Sequence, residues 1–225
     1  MLSKFLTKFR TATPSVVWFS HHIPKTAGTS LRTAFEKAAG KKCVLKVYKP
    51  ADVKRIENGR YQLPSILPVV VHGHFKPDLS QVGLAPHVKR LVWLRDPVQR
   101  AWSLLKHMSQ VQRDKPEFSL LVDKFGERAL LPDEEVFEYF LENKAFSQFN
   151  RPYQNYFRKV GLDEFDFVGR VENFETDMQR LGRLMNLSLE TQRNNVRKSA
   201  VVINSADYKH LLEREYSAVR DYYDV

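Results

Sequence analysis

A chain of 225 residues with 43% hydrophobic content is long enough for one sizeable core. Lys and Arg outnumber Asp and Glu by 36 to 26, a net charge of +10, which favours anionic ligands: a nucleotide, an acidic glycan, nucleic acid or a membrane surface. Cys43 is the single cysteine, so an internal disulfide and a thiolate metal cluster are excluded, and no stretch approaches the ~20 apolar residues of a membrane span.

Residues 1–14 read as a basic N-terminal tail, in which Lys4, Lys8 and Arg10 interrupt the few apolar positions and break any signal-like run. The expectation is a cytoplasmic protein without stable membrane insertion, with one domain over 15–225. Its first stretch, SVVWFSHHIPKTAGTSLRTAF at 15–35, predicts strand, short loop and helix. Leu31, Ala34, Phe35, Ala38 and Ala39 form the apolar stripe of that helix, and Gly40 ends it. A helix entered through Gly28, Thr29 and Ser30 offers unpaired amides, hydroxyls and the positive end of its dipole to one point, which suits an oxyanion. Lys25 adds a mobile full charge there.

Further on, VLKVYK at 44–49 predicts a second strand closed by Pro50, and 51–65 a loop or short helix followed by a turn. ILPVVVHGHF at 66–75 predicts a buried strand ending at His72, Gly73 and His74, and KRLVWLRDP at 89–97 another ending at Arg95 and Asp96. In a parallel sheet the carboxyl ends of strands share one side, so the three polar clusters should meet. Asp96 as cap and Pro97 at the first turn open a helix with Val98, Ala101, Trp102, Leu105 and Met108 inward and Arg100, Ser103 and His107 on another face. Residues 112–132 look like a mobile segment, a helix follows from Asp133, and FDFVGRVENF at 165–174 supplies the last strand before a helix to about Met185. A basic loop at 193–202 and a terminal helix from Ser205 complete the chain. The fold class expected is α/β: a central, mostly parallel sheet flanked by helices, with a phosphate-loop architecture.

The strings IPKTAGTSL at 23–31 and LRDPVQRAWS at 94–103, in this order and separation, resemble the 5′-phosphosulfate and 3′-phosphate motifs of sulfotransferases that use 3′-phosphoadenosine 5′-phosphosulfate. The likeness is nearest to the carbohydrate O-sulfotransferases, and VVHGHF at 70–75 is similar to the catalytic segment of heparan-sulfate-type uronyl 2-O-sulfotransferases. The resemblance covers most of the chain and is weakest at 105–145. It implies that Lys25, Thr26, Ala27, Gly28, Thr29 and Ser30 hold the 5′-phosphosulfate. Arg95 and Ser103 then hold the 3′-phosphate, with Arg197 and Lys198 closing over the nucleotide. Sulfuryl transfer needs a base for the acceptor hydroxyl and stabilisation of the departing phosphate oxygen. His74 is the expected general base with His72 as its orienter or a substrate contact, the choice between them staying open. Lys25 is expected to carry the leaving-group charge, and no metal is called for. His21 and His22 are read as positional. Tyr153, Asn155, Tyr156, Arg151 and Arg158 are candidates for lining the acceptor or adenine side. The expected acceptor is a glycan or another hydroxyl-bearing molecule, an acidic one suiting the net charge, with no nucleic acid partner.

Two other classes stay open at this stage. A phosphate-loop kinase or NTPase needs Gly-Lys-Ser/Thr at the helix entrance, whereas here Lys25 precedes Gly28 and no Lys follows. A nucleic-acid-binding module has only the net charge and scattered aromatics in its favour.

Overall fold

The computed structural model describes residues 16–190 and 203–223. The N-terminal tail and the basic loop with Arg197 and Lys198 lie outside the described residues.

Five strands form one sheet in the order β2-β3-β1-β4-β5, and every neighbouring pair is parallel. They are β1 (Val17–His21), β2 (Val44–Val47), β3 (Val70–Gly73), β4 (Val88–Leu94) and β5 (Phe167–Arg170). Such a sheet is covered on both sides, which explains why its strands read as continuous apolar runs rather than alternating ones. One face carries Trp18, Val70, Leu91, Trp93 and Phe167 against two helices, α1 (Gly28–Ala39) through Leu31, Ala34 and Phe35, and α8 (Phe174–Met185) through Met178 and Leu181. The opposite face packs Val17, Phe19 and Val71 on Ile56 of α2 (Pro50–Glu57), and Val92, Leu94 and Val168 on Tyr153 and Tyr156 of α7 (Pro152–Tyr156).

A second hydrophobic body lies beyond the sheet. Here α3 (Pro97–Val111) packs through Val98, Ala101, Trp102 and Leu105 against α4 (Pro116–Phe125), α5 (Glu134–Glu142) and the C-terminal residues Leu212 and Tyr216. Short helices α6 (Ser147–Asn150), α9 (Ser205–Tyr208) and α10 (Glu213–Ser217) complete the described residues. No described helix is long and apolar enough to cross a membrane.

Several local expectations change. Residues 112–132 are not a loose segment: α4 and a 3-10 turn occupy them, and Phe118, Leu121 and Ala129 are buried in the second body. The third strand starts only at Val70, because Pro68 has no N–H to give to a ladder. Pro50 opens α2 as its first residue besides ending the second strand region. The single terminal helix expected from Ser205 is broken into α9, a 3-10 turn over Lys209–Leu212, and α10. Asp96 caps α3 as expected, its carboxylate accepting the Gln99 N–H at 2.9 Å.

Candidate active site

The carboxyl ends of β1, β3, β4 and β5 open into one cleft of about 960 Å³. From β1 come His22 and the following Pro24, Lys25 and Ala27, from β3 His74, from β4 Arg95, and from the turn after β5 and the start of α8 residues 171–176. Ser103 and Arg100 of α3 form the far wall.

The loop between β1 and α1 is held by Thr26, which is buried and whose hydroxyl donates to the Ile23 carbonyl at 2.8 Å. Lys25 (φ 74°) and Ala27 (φ 65°) both adopt left-handed backbone geometry. Each such conformation costs roughly 1–2 kcal/mol for a residue with a Cβ, and backbone strain of this kind gathers at ligand clamps. Its effect here is to carry the chain sharply into α1, whose first amides, from Gly28 to Ser30, have no intrahelical acceptor and border the cleft. Gly28 is dictated by a neighbour rather than by its φ: a Cβ there would lie 1.9 Å from Nε2 of His22.

His22 is therefore pressed against the loop between β1 and α1. Its ring stacks on His72 with centroids 5.1 Å apart, meets His74 at 4.6 Å, and its Nδ1 lies 3.2 Å from the Tyr48 hydroxyl. Burial and the charges of His72, His74, Arg32 and Lys25 hold its pKa down at about 2. His72 lies beneath it, 0% exposed, with Nδ1 2.8 Å from Ser20 Oγ. Its pKa falls to about 3 through burial, with the Arg32 and His74 charges acting the same way. His74 has open surface in the cleft, yet the crowded walls around it also lower its pKa. All three rings are thus neutral near neutral pH, the form that accepts a proton.

At the other wall, Arg95 is fixed through its backbone. The Tyr153 hydroxyl donates to the Arg95 carbonyl at 2.6 Å and accepts from the Arg95 N–H at 3.0 Å. Among the described residues its guanidinium is in no ion pair within 4 Å. Asp96 is fully engaged: besides capping α3, it accepts from Ser205 Oγ at 2.7 Å and from the Tyr216 hydroxyl at 2.6 Å. Arg100, 1% exposed, sits over the Tyr153 ring at 5.8 Å and donates from Nη2 to the carbonyls of Phe149 and Asn150. Among the described residues, no three His, Cys, Asp or Glu side chains converge as a metal-binding group.

No protein-family model matches this chain, and neither does any curated protein sequence. Among solved structures, the crystal structure of the sulfotransferase from Alicyclobacillus acidocaldarius is similar over 93% of this chain and 95% of its own, at 15% sequence identity and a TM-score of 0.49. A likeness that faint carries no argument about chemistry, which has to come from the cleft's own residues.

Of the residues singled out in the sequence, Lys25, Ala27, Gly28, Thr29, Ser30, His74, Arg95 and Ser103 share the cleft. Thr26 does not line it; the side chain braces the loop from below. His72 is behind His22 and does not reach the cleft surface, so among the described residues it acts on the site only through neighbours. His22, read as positional from the sequence, is in the cleft wall itself. His21 is buried, its ring against Phe75 and Phe165 and its Nδ1–H directed at the Phe75 carbonyl at 3.0 Å. Tyr156 borders the cleft, whereas Tyr153 is a buried strut, and Arg151 reaches toward the carbonyls of Leu141 and Leu211. Asn155 and Arg158 line a separate recess of about 90 Å³. Arg100 and Tyr48 carry no site signal of their own in the sequence; the one hint is that Arg100 shares a helical face with Ser103.

Proposed function

We propose that this chain is a sulfotransferase that moves the sulfuryl group of 3′-phosphoadenosine 5′-phosphosulfate to an acceptor hydroxyl on a carbohydrate. The observation that carries this reading is the presence of two separate oxyanion sites on one cleft with neutral imidazoles beside the first. One is the Lys25 loop with the α1 amides, the other Arg95 with Ser103. A ligand phosphorylated at two distant positions of one nucleoside uses both; a simple triphosphate needs only the loop. The two motifs at 23–31 and 94–103 support the same donor.

The residues present fit such a donor. The α1 amides and Lys25 suit the phosphosulfate, and Arg95 and Ser103 suit the second phosphate. The donor supplies an electrophilic sulfur: a bond forms from the acceptor oxygen to sulfur as the bond from sulfur to the 5′-phosphate oxygen breaks. His74 takes the acceptor hydroxyl proton, since it is neutral and open to the cleft. His22, packed against His74 and anchored at Tyr48, holds that ring in place. Lys25 stabilises the negative charge that collects on the departing phosphate oxygen; its place in the cleft wall supports this role. An acidic glycan suits the net charge of +10. A heparan-sulfate-type uronyl acceptor is the specific form of this proposal, supported by the VVHGHF string.

Titration calorimetry with adenosine 3′,5′-bisphosphate in the presence of EDTA tests the donor. Binding by the wild type and a loss of about tenfold or more in Arg95→Ala are expected. No binding by the wild type would sink the proposal. Incubation with labelled donor and a panel of glycan acceptors tests the reaction. His74→Ala should bind the bisphosphate normally and transfer no label; retained turnover would move the base to His22 or elsewhere.

A further inference from the structure

Arg100 is the most deeply buried cation of the cleft, and its hydrogen bonding is incomplete. Nη2 is satisfied by the Phe149 and Asn150 carbonyls, at 3.0 and 2.6 Å, but Nε and Nη1 are buried without any acceptor. Among the described residues no carboxylate lies within 4 Å of the guanidinium. The acid that bears on it electrostatically, Glu215, spends its own oxygens on the backbone N–H groups of Tyr153 and Gln154. A buried guanidinium with open donors is costly, and an apolar side chain of that size would pack the same space without the penalty. The side chain instead borders the cleft, on the same helix as Ser103 and beside Arg95, whose charge it feels. Each unmet buried donor in a native protein calls for a reason, and an incoming oxyanion in the adjoining cleft supplies one.

The geometry points to Arg100 as a third contact for the oxyanion held by Arg95 and Ser103, which on the function proposed above is the 3′-phosphate of the donor. The planar guanidinium explains why Arg rather than Lys stands here: one nitrogen, Nη2, is fixed by the carbonyls of Phe149 and Asn150, and a further nitrogen of the same rigid group remains for the phosphate. The carbonyls of Phe149 and Asn150 also place the residue, so α6 shapes the phosphate site from outside the cleft's strands.

The test is selectivity. Adenosine 3′,5′-bisphosphate, adenosine 5′-monophosphate and inorganic phosphate are titrated into the full chain and into Arg100→Met and Arg100→Lys. Thermal melts report folding. The wild type should prefer the bisphosphate over the monophosphate by about tenfold or more, and Arg100→Met should bring the two within a few-fold by weakening the bisphosphate alone. Arg100→Lys, which keeps the charge without the fork, should fall between and serves if the Met variant does not fold. Parallel loss for both nucleotides, or an unchanged preference, would mean a purely structural Arg100 and overturn the assignment. If the wild type binds neither nucleotide, the donor reading has failed; phosphate binding that Arg100→Met and Arg100→Lys both weaken would still uphold the oxyanion contact. Phosphate binding indifferent to both changes, or absent in the wild type, would overturn it.

Discussion

The two ends of the cleft are built in opposite ways. At the loop end, the cleft-lining residues from Pro24 to Ser30 lie within a few residues of one another, and Thr26, bonded to Ile23 three residues back, braces them locally. At the arginine end, Arg95 and Asp96 are positioned by chain far away: Tyr153 clamps the Arg95 backbone, and Ser205 and Tyr216 hold the Asp96 carboxylate. Glu172 receives the Asp96 N–H at 3.0 Å and is in turn bonded by the Tyr223 hydroxyl at 2.6 Å. The contrast separates a proposed oxyanion site made of backbone, which forms whenever strand and helix form, from a proposed one made of side chains, which forms only when the whole domain has folded.

The largest expected effect breaks the loop end at its tightest point. Gly28→Ala places a methyl inside the His22 ring, so His22 must leave its stack on His72 and its contact with His74. Overpacking of this kind destabilises by about 1–3 kcal/mol, and label transfer should drop on the order of 100-fold as His74 loses its support. The decisive comparison is the pair with His22→Ala: if the clash is the cause, Gly28→Ala should cost much less stability in that background. Equal cost in both backgrounds, measured by urea denaturation, would refute it.

A smaller effect is expected at the arginine end from Tyr153→Phe. It removes both hydrogen bonds to the Arg95 backbone and leaves a buried carbonyl and N–H without partners, for about 1–3 kcal/mol of stability. Bisphosphate affinity should fall several-fold while affinity for the 5′-monophosphate, which uses the loop, stays within about twofold. Equal loss for both ligands would show that the two ends are not independent.

That asymmetry also decides what the sequence could disclose. The β1–loop–α1 unit is legible because its signals are local: an apolar run, Lys25, the small residues 27–30 and a helical stripe ending at Gly40. The parallel sheet follows from three apolar runs that each end in polar residues. What local patterns hide is the role of residues whose partners are distant. Tyr153 looks like a cleft aromatic and is a backbone clamp; Arg100 looks like a surface residue on the polar side of α3 and is nearly inaccessible. His22 and His72 exchange prominence because β1 and β3 are neighbours in register Ser20 to His72, which brings their side chains together on one face. Residues 112–132 read as a mobile segment for the same reason, since Phe118 and Leu121 gain a core only from α3 and α5.

The smallest effect separates the ends by titration. The loop end rests on imidazoles that folding keeps neutral, whereas the guanidinium groups of Arg95 and Arg100 stay charged at any pH the protein survives. His72 is held at about 3 against an ordinary value of 6.5, so the unfolded chain binds its proton first. The stability it contributes is complete above about pH 6.5 and is lost progressively as the pH falls toward 3. Each such group gives a slope of about 1.4 kcal/mol per pH unit in that window, and His21, held at about 3 by burial, and His22, held at about 2, act in the same direction. His72→Gln keeps a polar partner near Ser20 but cannot titrate. Urea denaturation at pH 7, 6 and 5 should therefore show a steep acid loss in the wild type and a slope shallower by about 1.4 kcal/mol per unit, between 6 and 5, in the variant. Identical slopes would mean that His72 is protonated within the fold, and the neutral histidine stack beside the loop between β1 and α1 would have to be abandoned.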